Sequence, residues 1–175
     1  MMKQPKHTDV LKIRISGLSN GLYEYHFSSD PVELGLRENF TSPVEVHVEL
    51  DKTTGQLYLK MQIRTTGHFN CDRCVDEFEQ AISCAYNMFY VYNEFETGKY
   101  ESEEVQVIST DTVHLDLTED VRQMTMLSVP LKLLCVEDCR GLCPQCGTNR
   151  NKESCSCKIE ASDPRWEGLQ HLLKN

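Results

Sequence analysis

Six of the nine cysteines in this 175-residue chain lie between positions 135 and 157, in the pattern Cys135-x3-Cys139-x3-Cys143-Pro-Gln-Cys146-Gly-x7-Cys155-x-Cys157. That stretch is poor in other core formers, so it cannot fold by burying apolar surface alone and needs a cross-link. Nine is an odd number, and the cysteine content falls below the roughly 8–10% typical of disulfide scaffolds. The opening MMKQPKHTDV has no apolar run behind its lysines, so no export signal is expected. A reducing, cytoplasmic compartment is the expectation that follows, and there paired cysteines act as metal ligands or redox centres.

Within the tail, Cys143-Pro-Gln-Cys146-Gly147 is the sharpest signal. Two residues between cysteines let the chain turn so that both sulfurs meet one cation, and Gly147 tolerates the left-handed conformation of such a knuckle. Cys155 and Cys157, two apart in an extended segment, point to one side and can complete the set. Tetrahedral zinc held by Cys143, Cys146, Cys155 and Cys157 is the leading expectation. Cys135 and Cys139 are then the spare pair or alternative ligands. Iron in a rubredoxin-like site is a rival, because the motif does not select the metal.

Upstream, the pattern is that of strands. VEVHVEL at 44–50 and QLYLKMQIRTT at 56–66 alternate apolar and polar residues around the turn DKTTG, which predicts a hairpin. LKIRISGL at 11–18 and LYEYHF at 22–27 flank Ser19-Asn20-Gly21 and suggest another, and residues 78–92 read as one long strand. The acidic run 93–104 is expected to be a solvated loop. Asp116 with Glu119 fits a capping box for a helix ending near Ser128, with Leu117, Val121, Met124 and Leu127 on its apolar face. Asp163-Pro164 begins a second helix bearing Trp166, Leu169, Leu172 and Leu173. The expected class is α+β: a β-rich antiparallel body over residues 1–134, then a cysteine-rich metal-binding tail with a terminal helix over 135–175.

Cys71 and Cys74, in CDRC, admit three readings: a redox pair, half of a second metal site, or a bent connection between strands. A thioredoxin-like pair opens a helix, whereas the residues after Cys74 look extended. Cys84 stands alone in an apolar strand and reads as a small core residue. The six histidines (His7, His26, His47, His68, His114, His171) show no HExxH spacing, and no GxSxG or phosphate-binding loop is present. Scattered over strands, they read as surface or satisfied core groups. No enzymatic activity and no small-molecule substrate are therefore expected, and no apolar run is long enough for a membrane span.

The formal charge is −9, yet residues 132–158 carry +2, which leaves −11 on the rest. A whole-surface nucleic-acid binder is excluded on charge. Arg140, Arg150, Lys152 and Lys158 are the candidate RNA contacts, with plain solvated surface as the alternative.

CDRC at 71–74, DCRGLCPQCGTNRN at 138–151 with CSC at 155–157, and the ending DPRWEGLQHLL at 163–173 together resemble the bacterial YceD-like family, also described as large ribosomal RNA subunit accumulation protein, in its zinc-tail form. The resemblance implies a non-enzymatic role in large-subunit biogenesis, supporting 23S rRNA accumulation through contact with rRNA or a large-subunit protein. By position, Cys71, Arg73 and Cys74 match the more widely shared motif, and the six tail cysteines match the zinc-type members. Arg150 stands where that run is expected to carry leucine, which adds a positive charge.

Overall fold

The computed structural model describes residues 11–93 and 104–157. Its sheet follows from period-two alternation. β2 (Gly21–Ser29), β3 (Val44–Lys52), β4 (Gln56–Asn70), β5 (Glu77–Val91) and β6 (Val105–Val107) form one five-stranded sheet in that order. On β3 the even positions Val44, Val46, Val48 and Leu50 are buried, and on β4 Leu57, Leu59, Met61 and Ile63 join them. The in-register pairs Val46–Ile63, Val48–Met61 and Leu50–Leu59 stack these side chains on one face. A one-residue slip would turn the whole set to water, so this register is strongly specified. The hairpin expected around DKTTG and the long strand after residue 77 are both present.

Three expectations are corrected. β1 (Lys12–Arg14) does not form a hairpin with β2; it pairs antiparallel with β7 (His114–Asp116) in a separate two-stranded sheet. Leu11, Ile13, Ile15, Leu115 and Leu117 are buried there, a larger gain in burial than a local turn at Ser19-Asn20-Gly21 would give. Nor is the body wholly antiparallel, because β6 runs parallel to β5.

The third correction concerns the helix, α1 (Thr118–Leu127). It lacks the capping box: the N-cap is Leu117 with no side-chain bond. Asp116 Oδ1 instead accepts from the Thr118 N–H at 3.0 Å. The Glu119 carboxylate turns forward to Arg122 and Gln123 rather than back. The buried face is Leu117, Val121 and Thr125, whereas Leu127 is 77% exposed. Asp120 on α1 lies near Tyr86 and Tyr90 of β5. Burial first, and then that carboxylate, push the Tyr86 hydroxyl up to about 12, and the same two causes raise Tyr90. Cys84 is half-buried on β5.

The described chain divides into two compact units. One comprises the residues up to Phe69 together with Phe78–Leu131; the other comprises Asn70–Glu77 and the residues from Lys132 onward. Relative to a division at residue 134, the segment carrying Cys71 and Cys74 therefore groups with the tail. The expected terminal helix at 163–173, Lys158 and most of the acidic run lie outside the described residues. Among the described residues, no helix is long and apolar enough to cross a membrane.

Candidate metal centres

Two turns in the second unit are built alike. In Asn70–Glu77, the connection between β4 and β5, the Cys71 N–H donates to Asp76 O at 2.9 Å and the Val75 N–H donates to Cys71 O at 2.9 Å. After Cys143, the corresponding donors are Cys143 N–H to Thr148 O at 2.8 Å and Gly147 N–H to Cys143 O at 2.9 Å. The residue after the second cysteine is left-handed in both, with φ 63° at Val75 and 76° at Gly147. Cys-x-x-Cys followed by a left-handed residue is the knuckle geometry that offers two sulfurs to one ion. For Gly147 that conformation is free. For Val75 it is a strained one, held by the surrounding bonds.

The partners of the first knuckle come from far along the chain. The Asp72 N–H donates to Leu133 O at 2.8 Å, and the Leu133 N–H donates to Asp72 Oδ2 at 2.7 Å, which brings Cys135 in. Arg73 Nη1 donates to Cys139 O at 2.7 Å, and the Leu142 N–H donates to Arg73 O at 3.0 Å. Gly141 permits this approach: its φ is +69°, and a Cβ there would stand 2.9 Å from Arg73 O. The result is a quartet of Cys71, Cys74, Cys135 and Cys139. Cys71 and Cys139 sulfurs are 3.7 Å apart, and Cys74 and Cys135 sulfurs 3.6 Å apart.

Those separations suit a metal centre rather than a disulfide. A disulfide is about 2.05 Å, whereas a tetrahedron with metal–sulfur bonds of about 2.3 Å has sulfur–sulfur edges of about 3.8 Å. The quartet fits a four-coordinate ion. The structure groups Cys135 and Cys139 with Cys71 and Cys74 of CDRC and not with the CPxCG cysteines.

The second quartet is the expected Cys143, Cys146, Cys155 and Cys157, whose sulfurs all lie within 4.8 Å of one another. It is the more open of the two. Cys71, Cys74 and Cys139 are buried in the first, whereas only Cys143 is buried in the second and Cys146 is exposed. Residues after the second knuckle also brace the first. Asn151 Nδ2 donates to Cys139 Sγ at 3.1 Å, Asn149 Nδ2 to Asp76 Oδ2 at 2.8 Å, and Lys152 Nζ to Asp76 Oδ1 at 3.0 Å. Asp72, Asp76, Asn149 and Asn151 are supporting residues missed in the sequence. The only available hint was the Asn-Arg-Asn spacing, which is also common in ordinary turns.

Each quartet polarises its own thiols. Burial pushes Cys71 up, but the backbone at Cys135, Cys74 and Arg73 outweighs it and brings the thiol down to about 6. For Cys74, backbone bonding at Asp76 favours the thiolate. Burial and the neighbouring sulfurs prevail, and the thiol sits at about 12. In the second quartet, bonding to the Thr148 side chain and then its backbone lowers Cys146 to about 6, while the Cys146 sulfur and burial raise Cys157 to about 12. Cys143 is lowered as well, chiefly by backbone bonding at Cys146, so some thiolates form readily in each cluster while their neighbours' ionisation is resisted. A divalent cation removes that conflict, which is the electrostatic reason four thiolates assemble around a metal.

Arg140 and Arg150 are exposed and flank a cleft of about 370 Å³ beside Cys155 and Cys157. Lys152 is engaged by Asp76, which raises its pKa. Among the described residues, the two arginines are thus the candidate RNA contacts that remain uncommitted to another side chain.

The family model described as large ribosomal RNA subunit accumulation protein YceD matches residues 59–173, a span that takes in both quartets. The chain belongs to the YceD family. It is 23% identical, over 75% of its length, to a chloroplastic YCED homolog 1 of Arabidopsis thaliana, and 26% identical over 67% to its counterpart in Zea mays. It is also 31% identical, over 59% of its length, to an uncharacterized protein of Mycobacterium tuberculosis. The chain spans about half the length of these relatives, 49% in each case. No solved structure matches it.

Proposed function

We propose that this chain is a non-enzymatic, cytoplasmic factor in large ribosomal subunit biogenesis that supports accumulation of 23S rRNA, with two structural zinc ions organising its tail. The observation that carries this reading is the YceD family match across residues 59–173, which includes all eight clustered cysteines. Zinc suits the all-sulfur, four-coordinate donor sets and, having no redox chemistry, serves as a fixed cross-link. Bound there, each ion would supply folding energy to a segment with little core of its own.

Charge favours a basic large-subunit protein over bare rRNA as the direct ligand. Four thiolates on one divalent ion carry two negative charges, so two filled sites more than offset the +2 of residues 132–158. The Asn70–Glu77 segment adds Asp72, Asp76 and Glu77 against Arg73 alone. An acidic surface of this kind attracts cationic partners. Arg140 and Arg150 are the exception, and they mark where RNA would touch.

Deleting the gene tests the role: the ratio of 23S to 16S rRNA is expected to fall and to recover with the wild-type gene, and an unchanged ratio would refute it. RNase treatment of ribosomal particles then separates the ligands. Persistence of the protein on the digested particles supports a protein partner, and release supports RNA. Metal analysis should give two zinc ions per colourless chain, whereas a red protein would mean iron.

A thiol redox role for Cys71 and Cys74 is the second reading, favoured by the Cys71 thiol near 6. Against it stands the placement of both sulfurs among those of Cys135 and Cys139, on a hairpin turn rather than at a helix start. Alkylation of the zinc-loaded protein decides. Rapid, selective modification of Cys71 would favour redox chemistry, and protection of all four thiols would favour the metal.

A further inference from the structure

We propose that Glu24, His26 and His47 form a third metal site, outside the cysteine tail, for an exchangeable divalent ion of the zinc, nickel or copper class. The site arises from strand register. β2 and β3 pair His26 with His47 and, one rung along on the same face, Glu24 with Glu49. Alternation puts these side chains on the sheet face opposite to Val46, Val48 and Leu50. The two imidazoles stack with centroids 4.3 Å apart and planes 16° from parallel. One ligand atom each from Glu24, His26 and His47 falls within 4.8 Å of the other two.

Two independent features point to a cation. His47 Nε2 is shielded from solvent and has no hydrogen-bond partner, an uncommon state for a polar atom and one that coordination would resolve. The neighbouring rung sets two carboxylates, Glu24 and Glu49, directly opposite each other, an unfavourable pairing in a sheet. Lys60 follows Glu49 on β4, so that rung still carries an excess of negative charge. Lys60 and Arg64 are nearby charges opposing a cation; each sits opposite a carboxylate, Lys60 opposite Glu49 and Arg64 opposite Glu45 on the next rung.

The chemistry follows from the donor set. Two imidazoles and a carboxylate suit borderline ions such as zinc, nickel and copper(II), and discriminate against calcium and magnesium. Three protein ligands leave a position for water, as in open rather than structural sites. His26 and Glu24 are exposed, so an ion here would exchange freely, unlike one sealed by the buried first quartet. The two rings are stacked nearly parallel, so side-chain rotations that turn their nitrogens toward one ion accompany binding and hold the affinity to a moderate level.

The test is a titration of the untagged, zinc-loaded full chain with nickel(II), followed by calorimetry. One event is expected beyond any exchange at the thiolates. Both His26→Ala and His47→Ala should weaken it at least tenfold, Glu24→Gln should weaken it less, and His68→Ala on β4 should leave it unchanged. Because His26 is exposed, its variant should keep the wild-type melting temperature and so separates loss of a ligand from loss of the fold. Absence of the event in the wild-type chain, or its full retention in the His26→Ala/His47→Ala double variant, would overturn the proposal. This inference does not rest on the ribosomal role, and neither result bears on it.

Discussion

Gly141 and Gly147 offer a matched pair for testing how the two quartets are held. Both are left-handed, at φ +69° and +76°, and both lie in the cysteine-rich unit. Alanine at either site incurs the cost of that conformation for an L-residue, about 1–2 kcal/mol. At Gly147 nothing lies within 4 Å of an added Cβ, so the cost should end there. At Gly141 the Cβ would meet Arg73 O at 2.9 Å and Arg73 Cβ at 3.2 Å. The obstacle is mainly backbone in the first knuckle, so the segment from Cys139 to Leu142 must move, adding about 1–3 kcal/mol. Metal binding and folding are linked, so both costs appear as lost metal affinity, at tenfold per 1.4 kcal/mol. Gly147→Ala should weaken retention of one ion by roughly five- to thirtyfold. Gly141→Ala should weaken the other by a further factor on the order of ten to a hundred. Competition against a colorimetric chelator measures both, with biphasic release assigning each loss to its site. Equal effects of the two substitutions, or a larger one at Gly147, would refute the claim that close approach to Arg73 sets the first quartet.

Three further outcomes follow from the same geometry. Val75→Gly should stabilise the first knuckle by about 1 kcal/mol, since relief of about 1–3 kcal/mol of strain exceeds the added chain entropy; slower release of its metal to chelator would show this. Asn151→Ala removes the bonds to Cys139 Sγ and to the Arg140 N–H, 3.1 and 2.7 Å long. A loss of about 1–3 kcal/mol is expected, confined to the first site in chelator competition. Glu119 is held down to about 2 by Arg122 first and then Gln123. Its folded value lies below its unfolded one, so its contribution is complete above about 4.5, the ordinary glutamate range, and is lost as pH falls toward 2. The difference in melting temperature between wild type and Glu119→Gln should therefore shrink across that window, and a constant difference would sink the assignment.

The alternation of β3, β4 and β5 was legible because a half-buried sheet writes its period into contiguous residues. The CPxCG knuckle was legible for a similar reason, since ligands, spacing and the left-handed glycine are all local. The rest is non-local or atypical. The partners of β1 lie about a hundred residues away in β7, and no local signal names them. Leu127 fits the helical period yet faces outward, because helix periodicity marks a stripe without fixing where the neighbouring elements stop. The CDRC knuckle was disguised by Val75 in the place where glycine is expected, and its two other ligands are separated from it by more than sixty residues. Cys135 and Cys139 consequently looked superfluous when counted against the tail alone.

The two quartets differ in the length of chain they tie together. The second joins cysteines that are near neighbours in sequence, whereas the first joins positions 61 and 68 residues apart. An ion in the first quartet is a long-range staple that encloses β5, β6, β7 and α1. By the loop-closure relation used for disulfides, restricting an unfolded loop of that size is worth about 4 kcal/mol. It also imposes an order on synthesis. The β4–β5 hairpin can form as soon as both strands have emerged, but its knuckle must wait for Cys139 before it can hold an ion tightly. The second quartet follows only eighteen residues later, at Cys157. A nascent chain thus carries an unfinished two-thiol site while the residues from Cys74 to Cys139 are added, and the two centres close in quick succession.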